Sequence, residues 1–170
     1  KARLDKMLGN NEVRALVTLF EARGDYQLNV ESVRHAGVGN LYEAFLRLKA
    51  RLEAEGLFAL ERKRPLPRLP RVVGVVTSAS GAALQDILRV AENRAPLRIV
   101  VADCRVQGKD APPTIVAALD AIQRLPGLDV VIVGRGGGSS EDLWAFNDEA
   151  VVRAIAACRV PIVSAVGHEV

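Results

Sequence analysis

The sequence of 170 residues lacks several features that mark specialised protein classes. No apolar run reaches the ~18 residues that a membrane-spanning helix needs, so we expect no membrane span. Only two cysteines occur, Cys104 and Cys158, and their separation fits no metal-binding spacing. We expect both to be reduced, buried thiols in a cytosolic protein. No secretory or transit segment is visible, and the chain opens on Lys1 rather than on methionine, so we expect an internal segment of a longer protein.

The charged residues are unevenly distributed, although the formal net charge is only +3. Residues 1–71 hold 14 Lys and Arg against 9 Asp and Glu, a balance of +5, whereas residues 72–170 hold 9 against 11, a balance of −2. A basic first part beside a slightly acidic second part is typical of a nucleic-acid-binding region attached to a catalytic body. A mildly basic, solvated surface explains the same distribution, so the charge pattern alone does not decide between the two.

The first part of the chain predicts a hairpin, a helix and a linker. Two segments of alternating polarity, Glu12–Phe20 and Tyr26–Val33, flank a turn-prone link and predict a β-hairpin. Apolar residues at helical spacing over residues 41–52 predict a helix, which Gly56 is placed to end. Residues 61–71 contain three prolines and five basic residues, and they predict a linker. This linker serves either as a solvated spacer or as a contact with a phosphate backbone.

From Arg71 onward, short apolar runs alternate with helical patterns. The four predicted strands are Val72–Val76, Leu97–Val101, Asp129–Val133 and Val160–Val163. Each run is nearly continuous in apolar residues, as expected of strands buried in a parallel sheet. The intervening helices have capping residues at Ser80, Asp110 and Asn147. The predicted fold class is therefore α/β, an open, mostly parallel sheet with helices on both faces.

The third predicted strand runs directly into a segment of phosphate-binding character, Gly134-Arg135-Gly136-Gly137-Gly138-Ser139-Ser140. Glycine lets backbone N–H groups approach a ligand closely, and arginine supplies a fork of donors that suits phosphate. The Gly-Lys-Ser/Thr ending of a Walker P-loop is missing, and Ser139 stands where a dinucleotide fingerprint has its third glycine. The segment predicts an anion site at a strand end, with a purely structural tight turn as the alternative.

Further polar side chains are predicted at the same edge of the sheet. Ligands of open parallel sheets bind outside the carboxyl ends of the strands, where Thr77 and Ser78 follow the first strand and His168 follows the fourth. Histidine can transfer a proton near neutral pH, although a lone histidine is more often structural. Asp86, on the first helix of the sheet region, lies near the boundary of the predicted buried face and is either a solvated carboxylate or a functional one.

Six motifs, in this order and spacing, resemble the large-subunit family of bacterial exodeoxyribonuclease VII. They are Val-Gly-Val-Val-Thr-Ser (73–78), Gly-Ala-Ala-Leu-Gln-Asp-Ile-Leu (81–88), Val-Gln-Gly (106–108), Val-Gly-Arg-Gly-Gly-Gly-Ser-Ser-Glu-Asp-Leu-Trp (133–144), Phe-Asn-Asp-Glu (146–149) and Ser-Ala-Val-Gly-His-Glu (164–169). The resemblance extends over about residues 10–170. It implies that residues 1–38 are the C-terminal part of an OB-fold domain, residues 39–70 a helical connector with a basic linker, and residues 71–170 a truncated catalytic α/β domain.

The resemblance implies a cytoplasmic exonuclease subunit that hydrolyses the phosphodiester bonds of single-stranded DNA to oligonucleotides. It also implies a complex with several copies of a small helical subunit. Residues that match the family's catalytic set are Asp86, Arg135 and His168. We assign phosphate or DNA contacts to Gly134, Gly136, Gly137, Gly138, Ser139, Thr77 and Ser78.

The family's fourth catalytic residue, an aspartate, is expected directly after Val170, and its small-subunit-binding helices are expected further on. We therefore expect this segment by itself to be inactive. The metal requirement stays open, with a divalent cation such as Mg²⁺ as one option. The alternative function is a non-hydrolytic nucleotide- or phosphosugar-binding α/β domain.

Overall fold

The structure of the protein, a computed structural model, describes residues 11–20, 25–35, 38–94, 96–137 and 143–167. The chain divides into two compact units, Lys1–Arg51 and Leu52–Val170. In the described parts of the chain, no helix combines the length and apolar character that crossing a membrane requires. Both cysteines belong to the described residues and are buried free thiols, as predicted.

The predicted hairpin is confirmed. Strands β1 (Asn11–Phe20) and β2 (Asp25–His35) pair in antiparallel fashion, with a register shift between Arg14 and Ala15. The predicted link between the strands lies mostly outside the described residues. Because an OB-fold contains further strands, the OB-fold assignment of residues 1–38 stays a prediction.

The predicted helix in the connector is also confirmed. Helix α1 spans Val38–Ala54, and Gly56 follows it with a φ of 72°. That left-handed conformation is typical of the glycine that terminates a helix. A short 3₁₀ turn, Leu60–Arg62, opens the linker.

The second unit is built on a parallel sheet of four strands, as predicted. The strands are β3 (Val72–Thr77), β4 (Arg98–Asp103), β5 (Val130–Arg135) and β6 (Ile162–Val166), in the order β4-β3-β5-β6. All four end later than the apolar pattern suggests. Thr77 pairs with Asp103, and Gly134 pairs with Ala165, so polar and glycine residues extend the sheet at its carboxyl edge.

Helices cover both faces of this sheet. Helices α3 (Ala111–Ile122) and α4 (Glu149–Ala157) pack together on one face, where Ile115, Leu119 and Val151 are fully buried against the strands. Helix α2 (Ala82–Glu92) covers the other face, with Leu84 in the cluster around Val75. The two apolar faces of each strand explain why the strands read as continuous apolar runs.

Two predicted helix caps are wrong by one residue. Helix α2 begins after Gly81 rather than Ser80, and α4 begins after Asp148 rather than Asn147. The Asp148 carboxylate accepts a hydrogen bond of 2.9 Å from the N–H group of Ala150. Asn147 instead ends the 3₁₀ turn Trp144–Asn147. In both helices the predicted cap is the residue just before the observed one, because adjacent residues there have similar capping propensities. Asp110 precedes α3 as predicted.

Candidate functional site

A cleft opens where the direction of the chain across the sheet reverses. From β3 the chain crosses to β4 on one side, and it then returns past β3 to β5 on the other side. The carboxyl ends of β3 and β5 therefore flank a topological switch point, which is the usual ligand position in open α/β sheets. The cleft has a volume of about 510 Å³. It is lined by Thr77 and Ser78 after β3, residues 81–83 at the start of α2, residues 105–107 after β4, and residues 135–137 at the end of β5.

The first turn of α2 forms one wall of the cleft. The N–H group of Gly81 donates to the Ser78 carbonyl at 3.0 Å, which holds the turn that leads into the helix. Ala82 and Ala83 carry the smallest side chains that helices favour, and both line the cleft. Among the described residues, no side chain forms a capping hydrogen bond at this helix start. The partial positive charge of the N-terminal N–H groups thus faces the cleft and favours an anion there.

Arg135 braces the glycine loop that forms the opposite wall. Its Nε donates to the Gly136 carbonyl at 3.1 Å, and its Nη2 donates to the Gly137 carbonyl at 3.0 Å. Both bonds turn carbonyl oxygens toward the guanidinium group. Arg135 therefore contributes positive charge to the cleft and also shapes the loop backbone.

The glycines of this motif have different structural roles. A Cβ on Gly134 would overlap the carbonyl group of Ala165 on β6, so Gly134 allows the two strands to approach. A Cβ on Gly136 would lie 3.8 Å from the Cβ of Ala83, an ordinary contact distance. Gly136 and Gly137 line the cleft, and the described lining does not include Gly134. The phosphate contact assigned to Gly134 stays a prediction, and packing alone accounts for this glycine.

Two residues that were not predicted hold the loops of the cleft. The Asp103 carboxylate, at the end of β4, accepts a hydrogen bond of 2.8 Å from the N–H group of Ala79 in the loop after β3. The Thr114 hydroxyl accepts from the N–H group of Arg105 at 3.1 Å and donates to the Ala111 carbonyl at 2.8 Å. A signal for Asp103 was present in the sequence, because it is a carboxylate that directly follows an apolar run at the functional edge of the sheet.

Asp86 is not brought into the cleft. It is the fifth residue of α2, its side chain is 68% exposed, and its carboxylate lies 3.7 Å from Arg89. It borders a separate apolar groove, together with Ile87 and Val90. Asp86 lies about one helical turn beyond the part of α2 that lines the cleft, and its side chain therefore borders a different cavity. The sequence pattern does not reveal this direction of the side chain. The catalytic assignment of Asp86 stays a prediction.

The remaining predicted site residues are divided between the cleft and the part of the chain that is not described. Gly138, Ser139 and His168 lie outside the described residues. Thr77 is buried, and its carbonyl accepts from the N–H group of Cys104 at 3.2 Å. Within the described ranges, no three residues among His, Cys, Asp and Glu are close enough together to hold a metal ion. The described cleft thus unites Thr77, Ser78, Arg135, Gly136 and Gly137.

Comparisons with known proteins agree with the motifs found in the sequence. The family model described as exonuclease VII, large subunit, matches residues 57–170. A protein named exodeoxyribonuclease 7 large subunit from Ralstonia nicotianae is 60% identical over 159 residues, which cover 93% of this chain and 36% of that protein. Its namesake from Thiobacillus denitrificans is 57% identical over 159 residues, covering 93% and 35%, and that from Serratia proteamaculans is 58% identical over 158 residues, covering 92% and 34%. The chain thus spans about a third of the length of these relatives.

Proposed function

The chain belongs to the exonuclease VII large-subunit family, and from this premise we propose that the strand-end cleft binds a phosphate of single-stranded DNA for phosphodiester hydrolysis by the full-length protein. One observation carries the proposal. The first turn of α2, Gly136 and Gly137, and Arg135 all border one cleft at the switch point of the sheet. Arg105 borders it too, but its guanidinium group forms an ion pair of 3.1 Å with Asp110. The helix N-terminus and the guanidinium group of Arg135 favour an anion.

The cleft supplies the electrostatic part of hydrolysis. When water attacks phosphorus, negative charge grows on the non-bridging oxygens, and fixed N–H groups and arginines stabilise that charge without reorganising. The attacking water loses a proton, the phosphorus–oxygen bond to the leaving nucleotide breaks, and the leaving oxygen takes up a proton. We assign one of these two proton transfers to His168, as general base or general acid, which the motif match supports. Asp86 is proposed to orient water or His168, and only the motif match supports that role.

The proposed assembly follows from the same premise. The relatives are named large subunits, which supports a complex with a smaller subunit, and we propose several copies of a helical one. Their name also supports DNA as the substrate. We propose the bacterial cytoplasm as the compartment on the strength of that substrate and of the family resemblance.

Substitution of Arg135 in the full-length protein tests the cleft. Arg135→Ala should reduce cleavage of single-stranded DNA at least ~100-fold, the scale for losing one charge-stabilising donor. Arg135→Lys should remain strongly impaired, because an ammonium group cannot donate in a fixed fork to the carbonyls of Gly136 and Gly137. The exposed Arg124→Ala serves as a control for the loss of one positive charge. Cleavage at nearly the wild-type rate by Arg135→Ala would refute the assignment.

A binding module without hydrolysis is the second candidate. The described lining of the cleft includes two arginines, yet no carboxylate and no histidine. Such a lining suits the capture of a nucleotide or a sugar phosphate. Two results together would favour this candidate over hydrolysis. A mononucleotide would raise the melting temperature of the full-length protein, and the same protein would leave single-stranded DNA intact.

A further inference from the structure

The basic linker forms one wall of a second groove in the Leu52–Val170 unit. Phe58, Arg62, Lys63 and Arg64 line one side, and the end of α4 and the start of β6 line the other with Ile155 and Pro161. We call this the linker groove; its volume is about 540 Å³. Because it lies at the start of β6, whereas the strand-end cleft lies at the carboxyl edge, the two sites occupy opposite ends of the sheet.

The three cations of the linker groove are available to an external anion. Arg62, Lys63 and Arg64 are exposed, and within the described residues no carboxylate forms an ion pair with any of them. Other arginines on the same unit are paired, as Arg153 is with Glu55 at 2.8 Å. Three adjacent cations that form no ion pair with the described carboxylates attract a polyanion through the release of its counterions.

The groove also offers an apolar surface beside these charges. The Phe58 side chain is 44% exposed although it lines the groove, and apolar residues of α4 and β6 form the opposite wall. Unpaired bases stack on exposed aromatic rings, and their phosphates follow neighbouring basic side chains. A duplex hides its base faces, so this pairing of a ring with cations suits a single strand.

The three cations lie where the 3₁₀ turn passes into the linker. Arg62 ends the turn, and Lys63 follows it in an extended conformation. Pro65, Pro67 and Pro70 restrict φ and remove backbone donors, so residues 63–71 form no helix or strand before β3. All three cations are exposed at this junction.

From these observations we propose that the linker groove is a second binding site for single-stranded nucleic acid. It would bind a part of the strand that lies at a distance from the strand-end cleft. The inference rests on the proposed single-stranded DNA substrate, but it concerns a different surface. The five residues of β6 span about 16 Å, so one strand must bridge at least that distance to occupy both sites. Longer strands should therefore gain affinity from the linker groove, and very short ones should not.

Salt-dependent binding of a fluorescent oligothymidylate to the full-length protein tests this proposal. A strand of about 16 nucleotides reaches the upper end of single-strand site sizes. The triple variant R62Q/K63Q/R64Q should bind it about tenfold more weakly near physiological salt, and the slope of log K against log salt should fall by about 2, since each phosphate contact on a single strand contributes about 0.7. The charge-matched control R94Q/R98Q/R124Q removes three exposed cations elsewhere and should leave the slope unchanged.

A second pair of variants tests the aromatic contact. Phe58→Ala should weaken binding about fivefold or more, by the loss of one stacked base. The control Leu60→Ala removes a side chain that is 74% exposed but does not belong to the described lining of the groove, and it should bind normally. An unchanged salt slope in R62Q/K63Q/R64Q would overturn the proposal. Two results together would also overturn it: normal binding by Phe58→Ala, and competition by polyglutamate as strong as that by unlabelled oligothymidylate. A surface for acidic proteins would behave in that way.

The linker-groove proposal can fail or succeed independently of the proposed hydrolysis. If the full-length protein cleaves no DNA but the triple variant still loses affinity and slope, the proposed nuclease function fails and the linker groove stands. If Arg135→Ala abolishes cleavage but the triple variant binds as the wild type does, the strand-end cleft stands and the linker groove fails.

Discussion

Gly134 of β5 lies so close to the carbonyl group of Ala165 on β6 that no side chain fits between the two strands. Two residues further along, Gly136 faces Ala83 across the strand-end cleft with room for a methyl group. One glycine of the motif therefore serves the sheet, and the other borders the site. The two roles can be separated by the same substitution.

Gly134→Ala should lower stability, whereas Gly136→Ala should slow DNA cleavage without lowering stability. Gly134→Ala forces β5 and β6 apart and should lower the free energy of unfolding by about 1–3 kcal/mol, the cost of overpacking. Gly136→Ala should keep the wild-type stability within about 0.5 kcal/mol, as expected at an exposed position. It should nevertheless slow DNA cleavage by the full-length protein about tenfold, because a methyl group hinders close approach of a phosphate to the backbone. Urea unfolding and cleavage rates measure the two effects, and equal destabilisation by both variants would contradict the distinction.

Asp103 should control the loop that borders the cleft after β3. Asp103→Ala removes the acceptor for the N–H group of Ala79 and should lower stability by about 1 kcal/mol. Hydrogen exchange at the Ala79 amide should become faster. Asp103→Asn keeps an oxygen acceptor and serves as the matched variant, with protection of that amide largely retained. Unchanged exchange at Ala79 in Asp103→Ala would show that the carboxylate does not hold the loop.

Cys104 should make the protein less stable at alkaline pH. Burial, and secondly the charge of Asp103, raise the pKa of its thiol from 9.0 to about 11. The unfolded chain thus loses this proton at lower pH than the folded chain does. The stabilising contribution is complete below about pH 9 and declines as the pH rises toward about 11.

Unfolding free energies at several pH values between about 8 and 11 test this behaviour. Cys104→Ala should lose part of the alkaline decline, whatever its effect at neutral pH. In Asp103→Asn, ultraviolet absorbance of the thiolate should appear at lower pH, because the neighbouring negative charge is gone. If Cys104→Ala and the wild type show parallel pH profiles, titration of this thiol does not contribute.

Asp129 should contribute stability that is lost in acid. Hydrogen bonds from the N–H groups of Val72 and Arg71 lower the pKa of its carboxyl group below 3.8 and join the starts of β3 and β5. Since the folded state favours the charged form, the contribution is present above pH 3.8 and is lost as the pH falls through the lower folded pKa. Asp129→Asn should be less stable at neutral pH and should show a smaller further loss in acid. A variant whose acid profile parallels the wild type would contradict this origin.

The sequence predicted the architecture well, because buried strands and helices show characteristic local patterns of apolar residues. Strands β3 and β5 are buried on both faces, so Val72–Val76 and Asp129–Val133 read as continuous apolar runs, and the hairpin shows the alternation of two-faced strands. Strand ends were less accurate. Gly134 and Arg135 belong to β5 through pairing with β6, and pairing partners about 30 residues away leave no local pattern.

Arg135, Gly136, Gly137, Thr77 and Ser78 were predicted to share one edge of the sheet, and they line one cleft. That outcome followed from topology, since parallel strands bring their carboxyl ends to one side. Whether each of them binds phosphate stays a prediction. Asp86 also belongs to the family motifs, but in the structure its side chain is 68% exposed and borders a separate apolar groove.

Local periodicity and short motifs were enough to establish the order of the elements, the burial of their apolar faces and the family to which the chain belongs. The packing of distant segments was needed to show that Gly134 serves strand packing, that Asp103 holds the loop of Ala79, and that Asp86 borders a groove separate from the cleft that Arg135 lines. These relations depend on side-chain directions and on distances between strands. Both are set by how distant segments pack, and no local pattern records them.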